Sequence, residues 1–508
     1  MDERFLKMYD SALKPLTEDR TPLYFSGDAK ADGENLILNS GGGADFGTYF
    51  NAFSLKKWLN FSTLEDLKIS FKLAGKFQVD FYGMSQIKEE IFLQVETEGD
   101  FEKIFFGGEL ADLAKKFDMI AFRLTAQSDS AKISGATWLG KFGTVHDIKL
   151  GITICTFKRE KYLLPNLEKL AALTKKNPDF SVMVIDNGQT LGEKHEEKLQ
   201  ILPNRNYGGS GGFTRGIIEQ VNQGKNTHII LSDDDTVIEL AAFDRLYSFL
   251  KFLKPEYRKN FFAGAMLNLA APLEQVENTA YWNKIMAKSF GANFDLADKQ
   301  ILCKNEYPTK DKNAYAGWWF CVVPVESVKE IGYPLPIFIK GDDMEYGIRR
   351  GMEILTLNGV GVWHDAFVNK FNPAIKYFAD RNMLLVQHFA RDCGRFYFFA
   401  GCMARLGRRT LYLDGEALKV LELALKDLNT DLEGITSVPS DEKFTQVRNY
   451  PKTGNVFVAF FRTLFYCLKH CLNYDEHDRQ LKEFVKVNLS DQKFWREFLK
   501  KTGGDTFL

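Results

Sequence analysis

A chain of 508 residues is too long for one ordinary hydrophobic core, so two or three domains are expected. Its 66 basic and 67 acidic side chains nearly cancel and 45% of its residues are apolar, the balance of a soluble globular protein, which excludes nucleic acid as the main partner. The cysteines at 155, 303, 321, 393, 402, 467 and 471 are scattered and form no CxxC pair, which excludes a zinc ribbon or redox dithiol and points to a reducing compartment.

The start, Met1-Asp2-Glu3-Arg4-Phe5, lacks the basic and apolar pattern of a secretion signal. No stretch reaches the ~18 uninterrupted apolar residues of a spanning helix. The expectation is a cytoplasmic protein, with any membrane contact peripheral and at the inner face of the cell membrane. From Pro22 to about Asp147, short alternating runs such as Lys68 to Leu73, Phe77 to Tyr82, Glu90 to Val95 and Met119 to Leu124 are separated by Gly, Asp and Ser, the rhythm of a β-sandwich.

At Lys149 the rhythm changes. Leu150 to Cys155, Phe180 to Ile185 and Thr227 to Leu231 are continuous apolar runs, with helical patterns over Lys161 to Thr174 and Gly212 to Asn222 between them. Alternating strand and helix predicts a parallel sheet in a doubly wound, Rossmann-like α/β domain, with further strands near Phe261 to Met266, Ala316 to Val323 and Ile354 to Leu357. Beyond about Asn372 the spacing turns helical through Met383 to Phe399, Glu416 to Leu428 and Val456 to Leu472. The expected domains are therefore residues 1–147, a β-sandwich; 148–371, the α/β domain; and 372–508, a helical region. In the last, Phe457 to Cys471 mixes aromatic residues with Arg462 and Lys469, a pattern that suits either a membrane surface or an ordinary core or oligomer-facing helix.

Ligands of open α/β sheets bind outside the carboxyl ends of the strands. The residues there are Thr156-Phe-Lys-Arg159, Asp186-Asn-Gly-Gln189 and Ser232-Asp-Asp-Asp-Thr236. Three adjacent carboxylates repel one another unless a cation compensates them, and oxygen ligands suit magnesium or manganese, with substrate phosphates completing the shell. A solvated turn with capping aspartates is the alternative for the triplet alone. The glycine run within Asn204-Arg-Asn-Tyr-Gly-Gly-Ser-Gly-Gly-Phe-Thr-Arg215 reads as a nucleotide-sugar loop, placing Asn206, Gly208 and Arg215 near the donor with Asp234.

Within Lys340-Gly-Asp-Asp-Met-Glu345, two carboxylates open a helix, and Asp343 is the candidate base for an attacking hydroxyl, with Asp342 beside it at the acceptor. Glu345 and Arg349 are spaced for a surface ion pair. His364, ending Gly361-Val-Trp-His364, could join an Asp/His metal site, and Trp318-Trp319 either fill the core or form a platform for a sugar face.

In this order the residues from Lys149 to about Asp380 resemble a family 2 glycosyltransferase of the GT-A fold, and more narrowly the bacterial galactofuranosyltransferases that polymerise galactofuranose from its uridine-diphosphate donor. Thr48-Tyr-Phe-Asn-Ala-Phe53 and Tyr377-Phe-Ala-Asp-Arg-Asn382 belong to the same resemblance. It implies that Thr156 and Arg159 hold the nucleotide, with Lys158 standing where the family more often has Asn, and that Asp186 lies near the uracil. It also implies that Asp233, Asp235 and His364 bind Mn2+ or Mg2+, that Asp343 is the general base of an inverting transfer, and that Trp318 and Trp319 shape the sugar site, Trp319 on its acceptor side. The implied partners are a UDP-sugar and a glycan or lipid-linked glycan of the bacterial cell envelope. Rhamnosyl, galactosyl or glucosyl donors and, from another class, a non-catalytic glycan-binding or scaffold protein are the alternatives, and the oligomeric state is left open.

Overall fold

The computed structural model describes residues 5–308, 310–365, 372–430, 440–449 and 455–501. The N-terminal part folds as two antiparallel sheets. In one, the strand Ala131–Phe142 lies between Leu64–Ala74 and both Asn35–Leu38 and Leu6–Asp10; in the other, Met119–Ala126 lies between Lys76–Met84 and Gly43–Asp45. Period-two alternation turns Leu67, Ile69, Phe71 and Leu73 inward, where rings such as Phe71, Phe46 and Trp138 pack against Phe122. Two helices, Leu55–Phe61 and Gly107–Lys116, interrupt what reads in the sequence as strands alone.

The central sheet runs Lys194–His195, Leu199–Pro203, Phe180–Asp186, Leu150–Thr156, His228–Asp233, Cys321–Pro324, Phe262–Ala263. The four strands from Leu199–Pro203 to His228–Asp233 are mutually parallel, and Cys321–Pro324 is antiparallel to its neighbours. Burial on both faces explains why these strands read as unbroken apolar runs. The glycine run does not form a loop. It opens the helix Gly208–Gln223, which lies close on the sheet because a Cβ at Gly212 would sit 2.2 Å from Cys155 Sγ and one at Gly216 would sit 2.2 Å from Thr153 Cγ2.

Three other expectations need correction. Ala316 to Val323 is not one strand: Ala314–Tyr315 and Cys321–Pro324 are separated by a turn in which the Trp319 ring folds over Gly317, where a Cβ would come within 2.2 Å. Ile354 to Leu357 makes a single bridge, Leu355 to Phe262, and no strand. Met383 to Phe399 is divided between the helices Pro373–Val386 and Arg395–Leu411, with Asp392 in a left-handed conformation and Gly394 at the second N-cap.

The helical region continues through Gly415–Leu428, Ser440–Arg448, Val456–Leu472, Tyr474–Asn488 and Lys493–Lys501. Trp495 anchors it to the α/β domain, buried and donating its Nε1 hydrogen to the Pro334 carbonyl at 2.9 Å. The helix Val456–Leu472 is core on one face, through Ala459, Thr463 and Cys467, and exposed on the other, through Phe457, Phe461, Phe465 and Leu468. Among the described residues no helix is long and apolar enough to cross a membrane.

The sandwich is fastened to the α/β domain through Thr48 to Phe53. Tyr49 donates its hydroxyl hydrogen to the Val360 carbonyl at 3.2 Å, and the Phe50 ring lies 5.9 Å from that of Trp363, one residue before His364. The close seat of the helix Gly208–Gln223 predicts that Gly216→Val overpacks it against Thr153. The substitution should lower stability by about 1–3 kcal/mol in urea denaturation.

Candidate active site

The strands Leu150–Thr156 and His228–Asp233 deliver their carboxyl ends to a cavity of about 980 Å3. Thr156, Arg159, Asn206, Gly208, Asp233, Asp234, Asp235, Trp318, Trp319, Asp342, Asp343 and His364 all line it. After the aspartate triplet the chain pairs immediately with the strand Gly361–His364, Val237 opposite Trp363. That pairing carries His364 back over the carboxylates. Its Nε2 lies 2.9 Å from Asp235 and 3.9 Å from Asp233, while the other Asp235 oxygen accepts from Arg159.

The charges of this corner are strongly coupled. Burial raises the pKa of Asp233 to about 7, opposed by His364 and reinforced by Asp235 and Asp234. Burial acts on Asp235 in the same direction, but His364 and Arg159 outweigh it and hold that carboxyl below its ordinary range. For His364, burial favours the neutral ring, yet Asp235 and Asp233 raise its pKa to about 9.

A divalent ion fits the donor set. One ligand atom from each of Asp233, Asp235 and His364 lies within 4.8 Å of the others. His364 Nδ1 is 2.6 Å from the Asp365 carbonyl, and donation of its hydrogen there leaves the Nε2 lone pair of the neutral ring directed at the aspartates.

Asp343 stands in the first turn of the helix Asp342–Arg350, its Oδ1 accepting from the Met344 N–H at 2.8 Å. The turn before it places Phe338 (φ 74°) and Lys340 (φ 65°) in the left-handed region, a conformation that costs about 1–3 kcal/mol each. Asn382 holds this turn, its amide nitrogen within 2.8–2.9 Å of the carbonyls of Ile337, Ile339 and Lys340. That contact accounts for the end of the Tyr377 to Asn382 motif. Burial raises the Asp343 pKa, and the Met344 N–H and Lys340 oppose it; Asp342, also raised by burial, is pushed further by Asp343.

The indoles enclose the cavity. Trp318 packs edge-on against Phe213 at 5.2 Å, and Trp319 donates to the Gly264 carbonyl at 3.0 Å.

The structure does not put Asp186 or Arg215 on the cavity wall. Asp186 is buried and accepts from the backbone N–H groups of Gly188, Thr190 and Leu191 at 2.7–2.9 Å, so its carboxylate organises the loop after its strand. Because the helix starts at Gly208 and not near Gly212, Arg215 falls in its second turn, buried and paired with Glu219 at 2.8 Å. Two first-turn N–H groups of that helix are also engaged internally, Gly208 with Asn206 Oδ1 and Ser210 with the Phe338 carbonyl, both at 3.0 Å. Gly208, Gly212 and Gly216 serve close packing. The Glu345–Arg349 pair forms at 2.5 Å, but it is buried and not at the surface, with Arg349 also donating to the Tyr333 carbonyl at 2.7 Å.

Several wall residues carry no sequence signal of their own. Asn187 bridges to the Gly208 carbonyl at 3.0 Å. Glu277, buried and bonded by Ser289, has its pKa raised to about 7 by burial, with Ser289 opposing and Asp343 adding to the rise. Tyr315, Phe338 and Lys340 add to the α/β contribution, and Ile375, Met383, Asp441, Phe444 and Thr445 enter from the helical region.

Residues 147–377 match the family model described as glycosyltransferase like family 2. These residues form a glycosyltransferase family 2 domain. Its fold is of the GT-A class that the resemblance implied, while the antiparallel Cys321–Pro324 beside the strand that ends in the triplet departs from the parallel sheet that the strand–helix alternation predicts. The chain is similar to the galactofuranosyltransferase GlfT2 of Mycolicibacterium smegmatis, 28% identical over 77% of this chain and 65% of the relative. It is also similar to GlfT2 of Mycobacterium tuberculosis, 26% identical over 69% of this chain and 59% of the relative. The chain thus spans less than two thirds of the length of these curated relatives. Among solved structures, Staphylococcus aureus TarS 1-349 in complex with UDP-GlcNAc aligns at 13% identity and TM-score 0.36, covering 65% of this chain and 92% of that one. The mannosyltransferase PcManGT of Pyrobaculum calidifontis, in complex with GDP-Man and Mn2+, aligns at 12% identity and TM-score 0.33, covering 64% and 88%.

Two outcomes follow for the family 2 domain. His364→Ala and Asp235→Ala should each weaken Mn2+ binding, read by calorimetry, by more than the ~10–100-fold that losing an outer-shell partner costs. Lys340→Met removes a cation that favours the Asp343 carboxylate, so the acid limb of the pH–rate profile should move to higher pH; an unmoved or lowered limb contradicts the electrostatic role of Lys340.

Proposed function

We propose that this protein transfers galactofuranose from UDP-galactofuranose to a growing glycan of the bacterial cell envelope, with inversion at the anomeric carbon and with a divalent ion. The observation that carries this reading is the meeting of the Asp233, Asp235 and His364 cluster with Asp343 in one indole-walled cavity of a family 2 domain. The named relatives support galactofuranose as the first sugar to test.

In the proposed reaction Thr156 and Arg159 hold the nucleotide side of the donor, and Trp318 and Trp319 bound the sugar. Asp343 accepts the hydrogen of the acceptor hydroxyl as that oxygen bonds to the anomeric carbon. The bond from that carbon to the diphosphate oxygen breaks in the same displacement, and UDP departs with the electron pair. An ionised Asp343 is required at that moment, and Lys340 and the Met344 N–H favour that form. Asp233, Asp235 and His364 would hold Mn2+ or Mg2+, whose charge offsets the negative charge that develops on the diphosphate. Asp342 and Trp319 face the acceptor in this reading, and Asp234 and Asn206 the donor.

Asp343→Ala should retain UDP binding in calorimetry while transfer falls by at least the ~10²–10⁴-fold typical of a lost general base. Substantial transfer by that variant contradicts the assignment. Incubation of the wild-type protein with Mn2+ and a panel of nucleotide sugars tests the donor, and preference for a rhamnosyl, galactosyl or glucosyl nucleotide would replace galactofuranose in the reading.

A further inference from the structure

We propose that the helix Ser440–Arg448 forms a hydroxyl-reading subsite for the acceptor glycan, with Asp441 and Thr445 as its contacts. The inference rests on the transfer reaction proposed above and extends it beyond the family 2 domain.

This helix lies outside residues 147–377, yet Asp441, Phe444 and Thr445 belong to the wall of the catalytic cavity. It is held there from three sides. Phe444 lies nearly parallel to Phe378 at 6.3 Å and edge-on to Phe338 at 6.2 Å, and Val447 is buried in the same apolar cluster. Lys443 pairs with Asp427 of the neighbouring helix at 2.7 Å. Arg205, just ahead of the glycine run, reaches both Asp441 oxygens at 3.4 Å. A wall element fixed in this way can be selective without having to fold around its ligand.

Its chemistry is that of an acceptor of hydrogen bonds. Asp441 and Thr445 are four residues apart, so one helical face presents both. The Thr445 hydroxyl donates its hydrogen to the Asp441 carbonyl at 3.0 Å, which leaves its oxygen to accept from a ligand. The Asp441 carboxylate can accept only; Oδ1 takes the Glu442 N–H at 3.0 Å as well as Arg205, which leaves a lone pair on Oδ2 for a donor from the ligand. Two accepting oxygens beside the Phe444 ring match a sugar, whose hydroxyls donate and whose C–H face is apolar. A diphosphate, itself only an acceptor, finds no donor in the Asp441 carboxylate or in the Thr445 hydroxyl, whose hydrogen is already given to Asp441. The site therefore suits the neutral glycan and not the nucleotide end of the donor. It also continues the wall that leads to the proposed base, since Phe338 packs against Phe444 and opens the segment ending at Asp343.

The test uses the full chain carrying Asp343→Ala, so that nothing turns over, and an octyl galactofuranosyl disaccharide as probe in calorimetry. Combining Asp441→Ala with Thr445→Val should weaken probe binding by at least about 30-fold, as the loss of one charge-assisted and one neutral hydrogen bond implies. UDP affinity in the same protein should change less than two-fold, and Asp441→Asn, which keeps an accepting oxygen, should recover part of the loss. Unchanged probe binding, or a loss confined to UDP, overturns the subsite. Failure of the unsubstituted chain to bind UDP with Mn2+ would instead count against the proposed donor chemistry, and intact thermal unfolding of the variants separates either result from misfolding.

Discussion

Crowding of like charge in a partly dry cavity is the constraint on which the rest of this structure depends. Asp233, Asp234, Asp235, Asp342 and Asp343 share one wall system with the buried Glu277, and burial raises the pKa of all of them except Asp235, whose partners prevail. Such an arrangement would relax if the backbone allowed it. It persists because each carboxylate is carried by a rigid element: three stand on a strand end and its turn, two on a helix N-terminus, and one at the end of a strand closed by Ser289. Arg159, His364 and Lys340 supply positive charge at three points of the cavity. The protein thereby maintains a site whose repulsion is available to any cation or proton that enters it.

The means of holding these elements differ on the two sides of the cavity. On the triplet side the device is β-pairing, since Val237 opposite Trp363 brings His364 to the aspartates. On the Asp343 side it is a turn with left-handed residues, pinned by a single side chain, Asn382. Glycines 208, 212 and 216 let the intervening helix approach the sheet, and a Cβ at Gly208 would meet the Phe338 carbonyl at 2.2 Å. The glycine run is thus what lets the two walls stand close enough to share one cavity.

Much of this was legible in the sequence, for reasons that particular residues make clear. Leu150 to Cys155 and Phe180 to Ile185 read as buried strands because they are apolar on both faces, and the polar residues after them could only be at the strand ends. The triplet, Asp343, His364 and the paired indoles stand on the cavity wall. Asp186 and Arg215 do not, because local pattern cannot tell a carboxylate that caps a loop from one that faces a ligand, or a helix that begins at Gly208 from one that begins four residues later. The turn at Gly317 to Phe320 was hidden for a similar reason: Trp319 folding onto Gly317 is a tertiary contact within an apolar run. Glu277 and Asp441 are acids without neighbours of note in the chain, and only long-range packing brings them to the site.

The docking of Thr48 to Phe53 behind Trp363 has a consequence for how the molecule works as a whole. Tyr49 and Phe50 touch the same short strand that ends in His364, and Arg20 lies over the Trp363 ring at 4.1 Å. Any coupling between a ligand that engages His364 and the seating of the sandwich is reciprocal, each changing the other by the same factor. The N-terminal sheets thereby brace the ligand site from behind, and the packing that seats His364 begins well before the strand Leu150–Thr156.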